Sequence, residues 1–173
     1  MKIETKQITK LLISDIDVDP ISVILEDLGP GKGKITVDCF GKAWTAYWGG
    51  MGDRTLAEFF CSCDDCYIAG YFDNNNSHVT DYEGLVSRIR REVIKLRRDR
   101  DIDKLEAHDL YTDANNIVDE QSLRDNADLV VKIFGDEWWR DLPIRESDEY
   151  LYICKIIRVV QEALSSMNQT NVA

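Results

Sequence analysis

The chain reads as an α+β fold, with a small antiparallel sheet of three or four strands at its N-terminal end followed by a packed layer of four to six helices. Two observations predict it. Residues 21–48 hold short runs rich in β-branched and aromatic types, separated by glycine turns too short for helical crossovers. From residue 55 the apolar period lengthens from two to between three and four, each stretch opening on a serine, threonine or acidic residue. The 173 residues, 44% apolar and 31% charged, suffice for one sizeable core. One domain is expected over 1–166, with 167–173 as a frayed tail.

ISVILED at 21–27 is a strand closed by Leu28-Gly29-Pro30-Gly31. KITVDCF at 34–40 alternates, placing Ile35, Val37 and Cys39 on one face and Thr36 and Asp38 on the other. Gly41-Lys42 suits a tight turn into AWTAYW at 43–48, and KLLISDI at 10–16 is a candidate fourth strand. Gly49, Gly50 and Gly52 mark the passage from sheet to helix.

Thr55 with Glu58 is a capping box opening a first helix, which CSCDDCYIAGYF (61–72) continues or follows. DNNNSH at 73–78 reads as an exposed loop. Thr80 with Glu83 repeats the capping-box pattern ahead of a helix to about Arg98 that buries Tyr82, Leu85, Val86, Ile89, Val93 and Leu96. Helices are expected over 101–117 and 122–134, with Trp138 and Trp139 in the next turn. Ser147 caps the last helix, drawn to about Leu164. That helix is apolar nearly all round apart from the stripe Lys155, Arg158 and Glu162. Such a helix needs cover on most of its circumference, from its own chain or from a second subunit, so a homodimer is expected.

The net charge of −11 is segregated. Residues 82–100 carry 7 bases against 3 acids, and residues 101–149 carry 15 acids against 5 bases. A chain this acidic is repelled overall by nucleic acid and anionic membranes and attracted to basic partners, so direct nucleic-acid binding is disfavoured. No stretch is apolar enough to span a membrane, and MKIETKQITK lacks the apolar core of a secretory signal, so the cytosol is the expected compartment. Five cysteines in a chain of this size argue against a disulfide scaffold.

Four constellations bear on chemistry. Cys61, Cys63 and Cys66, with Cys39 across the sheet, have the donor types of a zinc or iron–sulfur site. They lack a second CxxC pair or a nearby histidine, which favours structural thiols and no cofactor. LGPGKGKI (28–35) misses the phosphate-loop spacing, since Leu28 stands where the first glycine belongs and Ile35 where a hydroxyl is required. It reads as a hairpin loop. Arg88, Arg91, Lys95 and Arg98 share one side of the 82–98 helix and can contact phosphates, or can pair with the acidic segment downstream or with another subunit. Asp15, Asp17 and Asp19 form one acidic edge; Asp136, Glu137, Asp141, Glu146, Asp148 and Glu149 form another. No nucleophile–histidine–carboxylate order is evident, and the pattern favours a protein that is not an enzyme.

The run ISVILEDLGPGKGKITVDCFGKAWTAYWGGMG followed by RTLAEFFCSC resembles a family of tailed-phage and prophage accessory proteins, the likeness covering about residues 10–72. The resemblance implies a phage protein acting in the bacterial cytosol. It implies further a small acidic binder able to occupy the nucleic-acid surface of a host defence enzyme, and it assigns no catalytic residue.

Overall fold

The computed structural model describes residues 3, 5, 8–14, 17–72 and 77–170, with residues 168–170 described by backbone alone. Two compact units emerge where the sequence drew a single domain, one of 1–77 with 147–173 and one of 78–146. Each has its own hydrophobic cluster. Among the described residues the α+β class holds, with a four-stranded antiparallel sheet and seven α-helices, one more than the upper expectation.

In the first unit, β1 (Thr9–Ile13), β2 (Ile21–Gly29), β3 (Lys32–Cys39) and β4 (Lys42–Trp48) form a meander in the order β1-β2-β3-β4. Val23 pairs with Val37, and Val37 with Trp44, so the inward set of each strand falls on one face. Ile21, Val23, Ile35 and Val37 are wholly buried there and Cys39 nearly so, as the alternation requires. Thr36 and Thr45 meet on the opposite face, their hydroxyls 3.2 Å apart.

The β3–β4 turn lies one residue earlier than Gly41-Lys42. Lys42 already pairs with Cys39, leaving Phe40 (φ 50°) and Gly41 (φ 77°) as the two turn residues. Positive φ at both is the twist-matched hairpin geometry, met by glycine and imposed on an exposed phenylalanine. LGPGKGKI forms the β2–β3 hairpin as expected. Its tip touches the glycine-rich segment: the Met51 N–H donates to the Gly31 carbonyl at 2.8 Å, and a Cβ at Gly31 would stand 2.4 Å from the Gly52 carbonyl oxygen.

α1 (Leu56–Ser62) begins on the complete Thr55–Glu58 capping box. Cys63 is extended and ends it, and Asp64 accepts the Tyr67 N–H at 2.6 Å to start α2 (Asp65–Phe72). The cysteine-rich stretch is therefore two helices with a break. Residues 73–76 of the expected loop lie outside the described residues, and His78 belongs to a strand.

The last helix, α7 (Asp148–Thr170), starts on Ser147, whose hydroxyl accepts the Tyr150 N–H at 3.1 Å. It runs past Leu164 and through most of the expected tail. Ile153, Ile156, Ile157, Val160 and Leu164 are buried in the same cluster as the inner sheet face, Leu56, Phe60 and Ile68. The sheet, α1 and α2 thus supply cover for its buried side. Along its middle the exposed line is Leu151, Lys155, Arg158 and Glu162, with Asp148 and Glu149 exposed at its start and Ser165 and Ser166 near its end.

In the second unit, β5 (His78–Thr80) pairs antiparallel with β6 (Ile144–Glu146), two short strands the sequence reading did not anticipate. α3 (Tyr82–Asp99) buries Leu85, Ile89 and Val93. Its cap is Asp81, which accepts the Gly84 N–H at 2.9 Å, and not Thr80, which β5 holds extended. Arg100 closes it at φ 69°. α4 (Lys104–Asp113) runs into a 3-10 turn at Ala114–Asn116. The expected 122–134 helix divides at Asn126 into α5 (Glu120–Asp125) and α6 (Ala127–Phe134), and Trp138–Asp141 is a further 3-10 turn.

Candidate functional site

Helical spacing divides the cations of α3 into two groups. Arg88 turns inward, donating to the Asp141 backbone carbonyl at 2.7 Å and lying 4.7 Å from the centre of the Phe134 ring. Arg90 does the same over Tyr111 and donates to Asn115. Lys95 pairs with Glu92 one turn away at 3.5 Å. Arg91, Arg97, Arg98 and Arg100 are exposed, with no ion pair among the described residues. The expected four-residue face therefore loses Arg88 to internal packing and keeps Arg91, Lys95 and Arg98.

Arg97 borders a groove of about 290 Å³ between α3 and α4. Val93, Ile94, Ala107 and Tyr111 make its floor and walls, and Arg97, Lys104 and His108 its rim. On α4 the positions 104, 107, 108 and 111 recur at helical spacing and face this groove, whereas Glu106, Asp109 and Asp113 project from the other side. The charge sign is thus sorted by helix face. The sequence reading missed these residues; the signal was the single-sided Lys104, His108 and Tyr111 spacing. A second cavity of about 310 Å³ lies beside the first half of α3, bordered by Tyr82, Arg90, Asn115 and Val118.

The acidic candidates are solvent-facing wherever they are described. Asp17, Asp19, Asp148 and Glu149 belong to the first unit, and Asp136, Glu137, Asp141 and Glu146 to the second; Asp15 lies outside the described residues. Glu137 pairs with Arg140 at 3.1 Å and Glu149 with Lys42 at 2.5 Å. Glu106 pairs with Lys132 and Glu120 with Arg124. Among the described residues, no base of 88–100 forms an ion pair with an acid of 101–149. The acidic segment leaves the basic helix un-neutralised.

The sulfurs of Cys39, Cys61, Cys63 and Cys66 do not converge on a common point. Cys39 points to the Tyr152 hydroxyl at 3.4 Å and the Asp19 carbonyl at 3.5 Å, and Cys61 to the Gln161 carbonyl at 3.6 Å. Burial pushes the Cys63 thiol up, with Asp64 adding to it, and burial likewise raises Cys154. Raised thiols are poor nucleophiles. Among the described residues the one grouping with metal-donor spacing is Asp64, Asp65 and Cys66, within 4.8 Å of one another. Asp65 is engaged by Arg158, and Asp64 caps α2. No disulfide joins the five cysteines.

An aromatic cluster surrounds the helix break. Trp48 lies 5.5 Å from Phe59 and 5.4 Å from Tyr71, and Tyr67 stands 5.0 Å from Tyr71. Arg54 covers Phe59 at 4.8 Å, donating to Met51 and Ser62, so this cation is spent on the fold. In the second unit Trp138 packs on the core while Trp139 stays exposed, their rings edge to face at 6.1 Å. Among the described residues no helix is long and apolar enough to cross a membrane.

A family model described as a phage family, Phage_phiTE_072, matches residues 1–166. No curated protein and no solved structure matches the chain.

Proposed function

We propose that this chain, which belongs to the phage family Phage_phiTE_072, is an acidic binding protein that docks carboxylate faces on a basic surface of a host protein. The surface we infer is one built to hold nucleic acid, as in a host defence enzyme. One observation carries the reading: all the carboxylates of 101–149 but Glu106 are exposed, and none is taken up by the cations of α3, the pairs they form being with Lys42 and with Arg124, Lys132 and Arg140 of their own segment. An internally neutralised acidic segment would have little field to offer. An exposed one accelerates encounter with a basic groove and disfavours wrong partners.

Within the second unit Asp136, Asp141 and Glu146 are the exposed carboxylates on which we place the contact. Their attraction acts over about 10 Å at ordinary ionic strength and shrinks as salt is added. The test is capture of a host protein on the immobilised full chain at low and high salt, with duplex DNA as eluant. The reading requires a basic protein that binds at low salt, is released by DNA and is lost to an Asp136→Lys/Asp141→Lys variant. A captured protein indifferent to salt, DNA and the variant contradicts it.

A further inference from the structure

We propose that the groove between α3 and α4 is a nucleotide site, with the phosphate on its cationic rim and the base against its apolar floor. This goes beyond the acidic-face reading and is independent of it. Three features combine there. Arg97 and Lys104 stand on facing helices and have no ion pair among the described residues. The groove wall holds Tyr111, fixed by Arg90 stacked 4.9 Å from its ring centre. No acidic residue lines the groove, because Glu106, Asp109 and Asp113 occupy the opposite side of α4.

The chemistry selects among anions. A bare phosphate would gain nothing from Val93, Ile94 and Ala107, and an aliphatic ligand would leave three polar side chains without a role. A nucleotide satisfies both halves: aromatic and apolar groups stack the base while cations track the phosphate. The groove's 290 Å³ lies at the small end for ligand sites and fits one nucleotide unit. Because the chain carries a net charge of −11, attraction for an anion depends on local cations such as these. For a single strand with Arg97 and Lys104 on its phosphates, log K should fall with log salt at a slope of about −1.4.

The ligand is either a free nucleotide or a unit of a single strand, and one experiment separates them. Fluorescence anisotropy of a labelled oligothymidine is followed with the full chain at low salt, with AMP as competitor. Binding is expected, weakened about tenfold or more by Arg97→Glu/Lys104→Glu and changed far less by Lys95→Glu, which lies off the groove. Displacement by AMP identifies the free nucleotide; strand binding that AMP does not compete identifies the single strand. Arg97 and Lys104 are both exposed, so the variants should retain their circular dichroism. The proposal is overturned if folded protein binds neither probe, if the double variant binds like the parent, or if a tryptophan-bearing oligoglutamate binds more tightly than both.

Discussion

The guanidinium of Arg90 lies over the ring of Tyr111, 4.9 Å from its centre, and joins α3 to α4. The same side chain donates to Asn115, while its Nε is buried without a partner. Such a stack contributes about 0.5–1 kcal/mol and the hydrogen bond a similar amount, offset by the unsatisfied nitrogen. Arg90→Met should therefore lower stability by about 1 kcal/mol in urea unfolding. A loss above 3 kcal/mol would mean that the bond to Asn115 outweighs the stack.

The helix caps give an ordered set. Thr55→Ala and Asp81→Ala should each cost about 0.5–2 kcal/mol, since each removes the acceptor of a first-turn N–H. Thr80→Ala should cost under about 0.5 kcal/mol, because Thr80 sits in β5 and caps nothing. Equal losses at Thr80 and Asp81 would move the start of α3 back by one residue.

On the sheet, Val37→Asp should abolish folding of the first unit, since Val37 is wholly buried between Val23 and Trp44. Thr36→Asp, on the half-open face, should leave a folded protein by circular dichroism. The reverse outcome would require the register to slip by one residue.

Burial pushes the Asp65 carboxyl up, but the hydrogen bond and charge of Arg158 outweigh it and hold the group below the ordinary carboxylate range. A carboxylate depressed in the folded state stabilises above its unfolded value of about 4, and that stability is lost as the pH falls through the folded value. Arg158→Met should change stability little at neutral pH, because Arg158 is two-thirds exposed and solvent screens the pair. It should also flatten the acid limb of the stability curve below about pH 4. An unchanged acid limb would assign that limb to other carboxylates.

At the alkaline end, the Cys39 thiol beside Tyr152, followed by burial, pushes the phenol up to about 12. The folded state prefers the neutral phenol, so its contribution is complete below the unfolded value of about 10 and declines as the pH rises towards 12. Tyr152→Phe should remove part of the stability loss between those values, measured by thermal unfolding across the alkaline range.

Local chemistry made the sheet and the starts of α1 and α7 legible. Ile35, Val37 and Cys39 alternate cleanly, and Thr55 with Glu58 and Ser147 with the Tyr150 N–H are short-range caps that a linear reading can find. What it missed depended on partners far along the chain. Thr80 and Asp81 both precede a helix, and only the pairing of β5 with β6 decides between them. The turn at Phe40 was misplaced because bulky residues disfavour positive φ, a preference that the Cys39–Lys42 pairing overrides. The Arg88 side chain belonged on a basic stripe by spacing alone; Phe134 and the Asp141 carbonyl take it out. The groove requires α3 and α4 to be placed side by side, although the sorted charges of α4 were visible beforehand.

The proposed docking on a host protein would run through exposed carboxylates and not through the cationic groove. The most direct measurement compares three immobilised proteins against the same host extract: the parent, Asp136→Lys/Asp141→Lys and Arg97→Glu/Lys104→Glu. A DNA-releasable basic protein should be retained by the parent and by the groove variant and lost only from the acidic-face variant. Retention by the acidic-face variant with loss from the groove variant would contradict it.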